Sequence, residues 1–323
     1  MLHISAADVD RVLDFGGLVE TLREAFRAGA VQPVRHHHTV ERPDGSATTL
    51  LLMPAWTDFA AGATDGGYIG VKIVTVTPDN NRVGKPAVMG VYLLMDGRTS
   101  EPLALIDGQR LTLWRTACAS ALASTYLSRE DSSRLAIIGA GALAPFLAKA
   151  HATVRPIKEI RIWNRTPENA QKVAAALRDD GLDAAAVDDL DRAVSEADIV
   201  SAATISTVPL VRGASLRRGT HVDLVGAFSP AMRESDERAI AASSVYVDTR
   251  TGALKEAGDI VQAIAEGALK PEGIRGDLFD LTRGTVKGRG SADEITLFKS
   301  VGAAMEDLAA ATSVFRAVAG ASR

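Results

Sequence analysis

The run Gly139-Ala140-Gly141-Ala142-Leu143-Ala144 constrains the fold of this chain more than any other feature. A short apolar segment, 135–138, comes directly before it, and a helical segment with Pro145 in its first turn follows. In a G-x-G-x-x-A loop the first glycine makes the tight turn and the second lets the backbone approach a pyrophosphate. The following helix offers free N–H groups to the phosphates. A purely structural turn is the alternative, but the strand before and the helix after favour a dinucleotide site. Its predicted residues are Gly139, Gly141, Ala142 and Leu143.

After residue 134, short apolar segments alternate with amphipathic helical segments. The apolar segments cover 135–139, 160–164, 184–187, 199–204, 222–225 and 245–248. Alternation at this spacing predicts βαβ units and a buried parallel sheet with right-handed crossovers. The glycine loop would then follow the first strand of that sheet, as it does in Rossmann domains.

The preceding part of the chain has a different pattern. Helical spacing over 8–30, with a break at Gly16-Gly17, predicts two helices. Segments rich in leucine and β-branched residues predict a mostly antiparallel sheet, with strands at 48–53, 70–77, 87–95 and 103–106. The alanine-rich segment 112–127 predicts a connecting helix, and 293–319 predicts a last helix that packs on the first domain. A length of 323 residues suits two domains of about 150 residues each.

Composition excludes several classes of partner. The formal net charge is -4 and no basic cluster is present, so nucleic acid is not an expected partner. The first ten residues lack the pattern of a signal peptide, and no stretch is apolar enough for a membrane span. The single cysteine, Cys118, excludes an intrachain disulfide and is typical of a reducing compartment. These observations predict a cytoplasmic protein with no membrane association.

The second strand of the predicted parallel sheet ends in Asn164, Arg165 and Thr166. NAD-binding folds usually place a carboxylate there for the ribose hydroxyls, and a carboxylate would repel a 2′-phosphate. An arginine with hydrogen-bonding neighbours would instead neutralise that phosphate. The alternative is a solvated arginine beside a helix whose N-cap is Thr166, before Pro167. NADP(H) is therefore the preferred cofactor, with NAD(H) as the second option.

Segments along nearly the whole chain match one known family. They are Leu52-Met53-Pro54-Ala55, Gly70-Val71-Lys72-Ile73-Val74, Met89-Gly90-Val91-Tyr92-Leu93-Leu94, Leu113-Trp114-Arg115-Thr116-Ala117, the Gly139 loop, Val225-Gly226-Ala227, Glu256-Ala257-Gly258-Asp259 and Phe298-Lys299-Ser300-Val301-Gly302. In this order and spacing the chain resembles the ornithine cyclodeaminase/μ-crystallin family. The resemblance implies an α/β fold: a Rossmann dinucleotide-binding domain over 119–303 and an α+β substrate and dimerisation domain over 1–118 and 304–323. It also implies a homodimer.

The family's carboxylate clamp carries over to Arg35, Lys72 and Arg115. Two guanidinium groups and an ammonium that converge would suit one substrate carboxylate. A lysine inside an apolar strand needs a partner, and Lys72 could bind the carboxylate or transfer a proton. The resemblance adds Val301 as a substrate contact. The further cofactor contacts that we expect are Arg115, Thr116, Thr204, Val225, Gly226, Ala227 and Ser300. Thr204 ends the fourth strand at the rim where a nicotinamide lies, or is an ordinary strand-end threonine.

Two departures from the family pattern decide the expected reaction. Ornithine cyclodeaminases carry a glutamate where this chain has Leu51, and an acid where it has Phe228. Without those acids, the ammonium group of ornithine has no counter-charge. A compact cyclic imino acid suits an apolar pocket with one carboxylate clamp better.

The hypothesis is an NADP(H)-dependent reductase of Δ1-pyrroline-2-carboxylate or Δ1-piperideine-2-carboxylate, which would place the enzyme in proline or pipecolate metabolism. Lys72 would hold the proton that the imine needs, its pKa lowered by two neighbouring cations. The alternatives are an ornithine cyclodeaminase, an alanine dehydrogenase-like enzyme and a non-catalytic NADPH-dependent binder of small ligands.

Three further features have structural explanations. The adjacent histidines His36, His37 and His38 point to alternate sides of an extended chain and have no cysteine or acid cluster beside them, so we expect no metal site and an exposed loop. Cys118 is expected to pack in its helix. The segment 256–259 either caps a helix or, by the family resemblance, positions a loop near the cofactor.

Overall fold

The computed structural model describes residues 1–61 and 66–321 and divides into two compact units. The first unit comprises Met1–Arg115 and Ala303–Arg323, and the second comprises Thr116–Gly302. The predicted division lay after residues 118 and 303. The predicted fold class, α/β with a Rossmann domain and an α+β domain, is confirmed.

The strands and helices have the following bounds. The strands are β1 (Leu2–Ile4), β2 (His36–Val40), β3 (Thr48–Trp56), β4 (Tyr68–Val76), β5 (Val88–Asp96), β6 (Pro102–Asp107), β7 (Arg134–Ile138), β8 (Glu159–Trp163), β9 (Ala184–Ala186), β10 (Ile199–Ala202), β11 (His221–Leu224), β12 (Ser244–Val247), β13 (Ile274–Asp277) and β14 (Thr296–Lys299). The helices are α1 (Ala6–Val12), α2 (Phe15–Ala28), α3 (Gly108–Leu127), α4 (Ala144–Val154), α5 (Pro167–Asp179), α6 (Leu190–Glu196), α7 (Glu237–Ala241), α8 (Arg250–Glu256), α9 (Gly258–Ala265), α10 (Leu278–Arg283) and α11 (Ala304–Ala321). Within the described ranges, no helix combines the length and the apolarity that a bilayer span requires.

The first unit is built on a six-stranded sheet in the order β1-β6-β5-β4-β3-β2. All neighbours in it are antiparallel except β1 and β6. Alternate residues of each strand point to opposite faces of the sheet. One face carries the buried row Met53, Lys72 and Tyr92, and α11 packs on β3, β4 and β5. The other face carries half-buried or exposed apolar side chains such as Ile73 and Val91.

The second unit contains an eight-stranded parallel sheet in the order β13-β12-β14-β11-β10-β7-β8-β9. The stretch β9-β8-β7-β10-β11 has the strand order of a Rossmann fold, in which the chain direction across the sheet reverses between β7 and β10. Ligands of such sheets bind outside the carboxyl ends of the strands at this switch point. A ligand of this sheet would therefore lie against the loops after β7, β8, β10 and β11.

The break between the first two helices lies at Leu13 and Asp14, so the prediction of a break at Gly16-Gly17 is wrong. The Asp14 side chain accepts a hydrogen bond from the Gly17 N–H at 2.8 Å and caps α2, which places both glycines in its first turn. An N-cap carboxylate satisfies backbone donors that would otherwise be unpaired, and this outweighs the low helix propensity of glycine.

Two further predictions of secondary structure are wrong. His36, His37 and His38 lie in the exposed edge strand β2, which pairs with β3, rather than in a loop. The segment 293–319 is not one helix, because β14 precedes α11. All four residues of β14 are buried, so the strand lacks the polar/apolar alternation that would distinguish it from a helix.

Candidate functional site

Lys72 lies in the middle of β4 and its side chain is almost fully buried, with 2% of its surface exposed. Its Nζ lies 2.7 Å from Asp307 Oδ2 and donates hydrogen bonds to Asp307 Oδ1 at 2.9 Å and Thr112 Oγ1 at 3.3 Å. The partner that a buried lysine requires is therefore Asp307, in the first turn of α11. Acidic side chains are favoured at that end of a helix by its dipole.

Arg115 joins the same buried group. Its Nη1 donates to Glu306 Oε2 at 2.7 Å and its Nε donates to Asp307 Oδ1 at 3.0 Å. Both carboxylates are fully buried, and Asp307 contacts Lys72 and Arg115 at once. We call Lys72, Arg115, Glu306 and Asp307 the buried charge cluster.

The protonation of Lys72 depends on this surrounding. Burial lowers the pKa of Lys72 to about 8, and the Arg115 and Arg35 guanidinium groups act in the same direction. The Asp307 carboxylate opposes them. The predicted cause, two neighbouring cations, thus comes second to burial. Burial also lowers the pKa of Arg115, but Asp307 and Glu306 outweigh it and hold that pKa above its ordinary value.

Arg35, just before β2, is half-buried, and its Nη1 lies 4.0 Å from Met53 Sδ. Met53 is the cross-strand neighbour of Lys72, and Tyr92 is the neighbour on the other side. The Tyr92 hydroxyl occupies the space beside Gly70, where an added Cβ would lie 2.0 Å from it. Burial and the Asp307 carboxylate raise the pKa of Tyr92 well above its ordinary value. The first unit thus brings the three predicted clamp cations to one region.

The glycine loop of the second unit has the geometry that its sequence predicts. Gly139 has φ 102°, and an added Cβ would lie 2.7 Å from the Ala203 carbonyl oxygen. Beside Gly141, no described atom lies within 4 Å of an added Cβ, so the backbone there is open to a ligand. Leu143 is the N-cap of α4 and makes no side-chain capping bond to the described residues. A dinucleotide pyrophosphate fits such a loop and helix terminus.

The end of β8 is fastened to that loop. Asn164 Oδ1 accepts a hydrogen bond from the Ala140 N–H at 3.1 Å, and Asn164 Nδ2 donates to the Thr166 carbonyl oxygen at 2.9 Å. Arg165 is exposed. Thr166 is the N-cap of α5 by position, without a side-chain capping bond within the described part of the chain. The Arg165 and Thr166 side chains are thus available for a ligand group at this edge.

The loops after β10 and β11 share one carboxylate. Glu234 Oε1 accepts hydrogen bonds from the N–H and the hydroxyl of Thr204, at 2.6 and 2.9 Å. Glu234 Oε2 accepts from the N–H groups of Gly226 and Ala227, at 2.8 and 3.1 Å. Gly226 is required here, because an added Cβ would lie 2.0 Å from the Thr204 carbonyl oxygen. Val225, one residue earlier, is buried.

The loop after β14 is held by a second carboxylate. Asp248 Oδ2 accepts hydrogen bonds from Ser300 Oγ at 3.1 Å and from the N–H groups of Val301 and Gly302, both at 2.7 Å. Val301, predicted as a substrate contact, therefore belongs to the second unit, whereas Arg35, Lys72 and Arg115 belong to the first. Thr116 is buried in α3. The contacts predicted for these residues with substrate or cofactor stay predictions.

The positions without acids are occupied by packed apolar side chains. Leu51 is 6% exposed and shares the inner face of β3 with Met53. Phe228 packs against the apolar core of the second unit. Among the described residues, no three His, Cys, Asp or Glu side chains are arranged to hold a metal ion.

Sequence reasoning missed four charged residues: Glu306, Asp307, Glu234 and Lys299. Two adjacent acids in an otherwise apolar, alanine-rich segment are the signal that could have identified Glu306 and Asp307, since buried acids need cationic partners. Glu234 lies in an irregular segment between β11 and α7, where periodicity gives no information.

Comparisons with known proteins agree with this geometry. The family model described as "Ornithine cyclodeaminase/mu-crystallin family" matches residues 3–322. A Delta(1)-pyrroline-2-carboxylate reductase of Colwellia psychrerythraea is 38% identical over 327 residues, which cover 99% of this chain and 100% of that protein.

Solved structures match over the same extent. The Thermococcus litoralis Delta(1)-pyrroline-2-carboxylate reductase in complex with NADH and L-proline has a TM-score of 0.94 and 33% identity, and the match covers 100% of this chain and 98% of that chain. An archaeal alanine dehydrogenase dimer with bound NAD has a TM-score of 0.89 and 28% identity, covering 100% and 97%. Both of these similar structures therefore hold a nicotinamide dinucleotide.

Proposed function

The chain belongs to the ornithine cyclodeaminase/mu-crystallin family, and we propose that it is a nicotinamide-dependent reductase of cyclic imino acids such as Δ1-pyrroline-2-carboxylate. The family resemblance predicted from the sequence is thereby confirmed. The reductase named in the relatives and the L-proline in the similar solved structure support this substrate class for our chain.

The structural observation that supports this proposal is the buried charge cluster. Among the described residues it contains the cations Lys72 and Arg115 and the anions Glu306 and Asp307, and Arg35 acts on it as a third cation. The Lys72 ammonium and the Arg115 and Arg35 guanidinium groups thus lie in one region of the first unit, and such a set of cations suits a ligand that carries a carboxylate.

Lys72 can also supply a proton. With a pKa of about 8, its ammonium is largely protonated at neutral pH, yet it loses the proton more readily than an ordinary lysine. A bound nicotinamide dinucleotide would supply the hydride that reduces the C=N carbon. The chain would hold the substrate carboxylate with Arg35 and Arg115 and keep the imine nitrogen protonated through Lys72, so that its contribution is orientation and proton supply.

The side chains at the two departures argue against ornithine as the substrate. Leu51 and Phe228 are packed among apolar groups and offer no counter-charge for a second ammonium. Desolvating an unpaired ammonium beside them would be costly.

We propose NADP(H) as the preferred cofactor. Arg165 is exposed at the end of β8, and Thr166 has a hydroxyl free of helix capping within the described residues. A guanidinium with a neighbouring hydroxyl suits a 2′-phosphate, whereas no carboxylate stands at these positions to hold the ribose hydroxyls.

We further propose a homodimer in which two six-stranded sheets pack against each other. The contact would use the outer face of each sheet, which is the face opposite α11. Apolar rows cross the strands on that face: Leu52, Ile73 and Val91 in one row, and Pro54, Val71, Leu93 and Leu105 in the next. These side chains are half-buried or exposed in the single chain. A contiguous apolar face of this kind marks an interaction surface. The similar alanine dehydrogenase is a dimer, which favours a second copy of this chain as the partner.

A substrate panel tests the activity. The purified protein is assayed with five- and six-membered cyclic ketimine carboxylates, each with NADPH and with NADH. Ornithine and alanine are assayed with the oxidised cofactors, NADP⁺ and NAD⁺. We expect oxidation of the reduced cofactor with a cyclic ketimine and no ammonia release from ornithine. Ammonia release from ornithine, turnover of alanine alone, or cofactor binding without turnover would each replace the proposal by the corresponding alternative.

A substitution of Lys72 tests the role proposed for this residue. Lys72→Met keeps the side-chain volume and removes the charge, and we expect it to abolish turnover while cofactor affinity is retained. Loss of cofactor affinity instead would contradict the role given to Lys72.

A further inference from the structure

The Glu234 carboxylate is fully buried and accepts four hydrogen bonds from two separate loops. Each of its oxygens accepts two: Oε1 from Thr204, and Oε2 from Gly226 and Ala227. These loops follow β10 and β11, on the carboxyl side of the parallel sheet and next to the switch point. Their positions relative to each other are therefore set by one side chain.

Two more buried charges face this carboxylate. Lys299 Nζ, at the end of β14, lies 3.6 Å from Glu234 Oε2 and 3.4 Å from Asp259 Oδ2. It makes no hydrogen bond to the described residues. Asp259, in the first turn of α9, accepts through Oδ1 from the N–H groups of Glu234 and Ser235 and from the Ser235 hydroxyl. The end of β14 and the start of α9 are thus both in contact with Glu234.

We propose that Glu234 is a positioning residue for the nicotinamide end of the cofactor, acting through Thr204 and the Gly226-Ala227 backbone. The inference rests on the proposed function, because it assumes a nicotinamide dinucleotide at the switch point of the second unit. It goes beyond that function by assigning the cofactor geometry to a side chain that lies behind the loops rather than in contact with the reacting atoms.

The role depends on the negative charge and on having two equivalent oxygens. A glutamine keeps the shape but has one acceptor oxygen, so its amide group would face two of the four donors whichever way it turned. A protonated carboxyl group likewise has an O–H on one of its oxygens, which would face donors that the ionised group accepts from. Burial raises the pKa of Glu234 to about 7, Asp259 acts in the same direction, and Lys299 opposes both. The ionisation of Glu234 therefore changes around neutral pH.

The first measurement is the affinity for NADH and for NADPH in the absence of substrate. Binding is monitored by the fluorescence of the cofactor. We expect Glu234→Gln to raise the Kd by about tenfold or more, because hydrogen bonds to a charged acceptor are lost on one loop. Glu237→Gln is the matched control, since Glu237 is 54% exposed, in α7. The thermal midpoint of each variant without cofactor is recorded as well. A Kd unchanged in Glu234→Gln would overturn the proposal, even if the midpoint fell.

The second measurement is the Kd of wild-type protein for NADH between pH 6 and pH 8.5. NADH is used because it lacks the 2′-phosphate, which titrates in this range. If only the ionised Glu234 holds the loops in the binding arrangement, affinity falls by about tenfold on going from one unit above to one unit below the pKa of Glu234. Glu234→Gln should show no such dependence. A flat wild-type profile would overturn the proposal.

If Glu234→Gln does not fold, Lys299→Met tests the positioning role of Glu234 instead. Removing the ammonium takes away the charge that lowers the pKa of Glu234, so the pH at which affinity is lost should move upward. An unmoved profile would refute the inference. The proposed function fails in a different way: wild-type protein would bind no dinucleotide or reduce no imine. If wild type does both and Glu234→Gln binds NADH equally well, only the positioning role is wrong.

Discussion

Replacing Asp307 by asparagine should shift the pH dependence of the proposed reaction to lower pH. The Asp307 carboxylate contacts the Lys72 ammonium through both oxygens, at 2.7 and 2.9 Å, and Lys72 is 2% exposed. An anion favours the protonated form of a neighbouring amine, so its removal lowers the pKa of that amine. Lys72 starts from a pKa of about 8. Asp307→Asn therefore moves it toward or below neutral pH.

The size of the shift follows from the strength of the lost interaction. A hydrogen bond to a charged group contributes about 1.5–3 kcal/mol, and one pKa unit corresponds to about 1.4 kcal/mol. Asparagine keeps one oxygen that can still accept from Lys72 or Arg115, so the lower end of the range applies. We expect a decrease of about one pKa unit.

The assay is the pH profile of kcat/KM with a cyclic ketimine carboxylate, whose alkaline limb reports the essential acid of the free enzyme. The limb should lie near the Lys72 pKa in wild type and about one unit lower in Asp307→Asn. Glu306→Gln is the matched control, because the Glu306 carboxylate bonds to Arg115 and should leave the limb in place. A limb that stays fixed in Asp307→Asn belongs to the substrate imine or another group, and the proton role of Lys72 would then be refuted.

Three further tests, on Arg165, on the outer sheet face and on the glycine loop, address the remaining proposals. Arg165→Ala should lower kcat/KM for NADPH by about tenfold to a hundredfold and leave that for NADH unchanged; equal losses would contradict a 2′-phosphate contact. Ile73→Asp should weaken the dimer by about a hundredfold or more, measured by sedimentation, because an unpaired charge would be buried. Val83→Asp, at a 71% exposed position, should not. Gly139→Ala should destabilise the fold by about 1–3 kcal/mol, whereas Gly141→Ala should unfold like wild type and lose cofactor affinity. Similar melting and affinity in both glycine variants would disprove the distinct roles of the two residues.

The Rossmann half of the molecule was predictable because its signals are local. The φ of Gly139 and the close approach of Ala203 require glycine there, and the strand, loop and helix follow one another without interruption. That Arg35, Lys72 and Arg115 lie in one region was predictable from residue type and from the family resemblance. Lys72 in particular was conspicuous, because a charge in an apolar strand needs a partner.

The partner itself was not predictable from local patterns. Lys72 and Asp307 lie 235 residues apart along the chain, and only the packing of α11 on the sheet brings them together. Glu234 was missed for a similar reason, since its function comes from loops that follow two different strands. The strand β14 was read as helix because a strand covered on both faces has no alternation.

Asn164 limits the ways in which cofactor preference could be changed, whether by selection or by design. Its amide accepts from the Ala140 N–H of the phosphate loop and donates to the Thr166 carbonyl just before α5, so both of its functional groups are already engaged. An aspartate there would still accept from Ala140 but would set a second anionic oxygen against a carbonyl that has lost its donor. The usual route toward NAD(H), an acid at the end of the second strand, would thus disturb the turn between β8 and α5, which Asn164 links to the phosphate loop. A change of the proposed NADP(H) preference would have to be made at Arg165 and Thr166 instead.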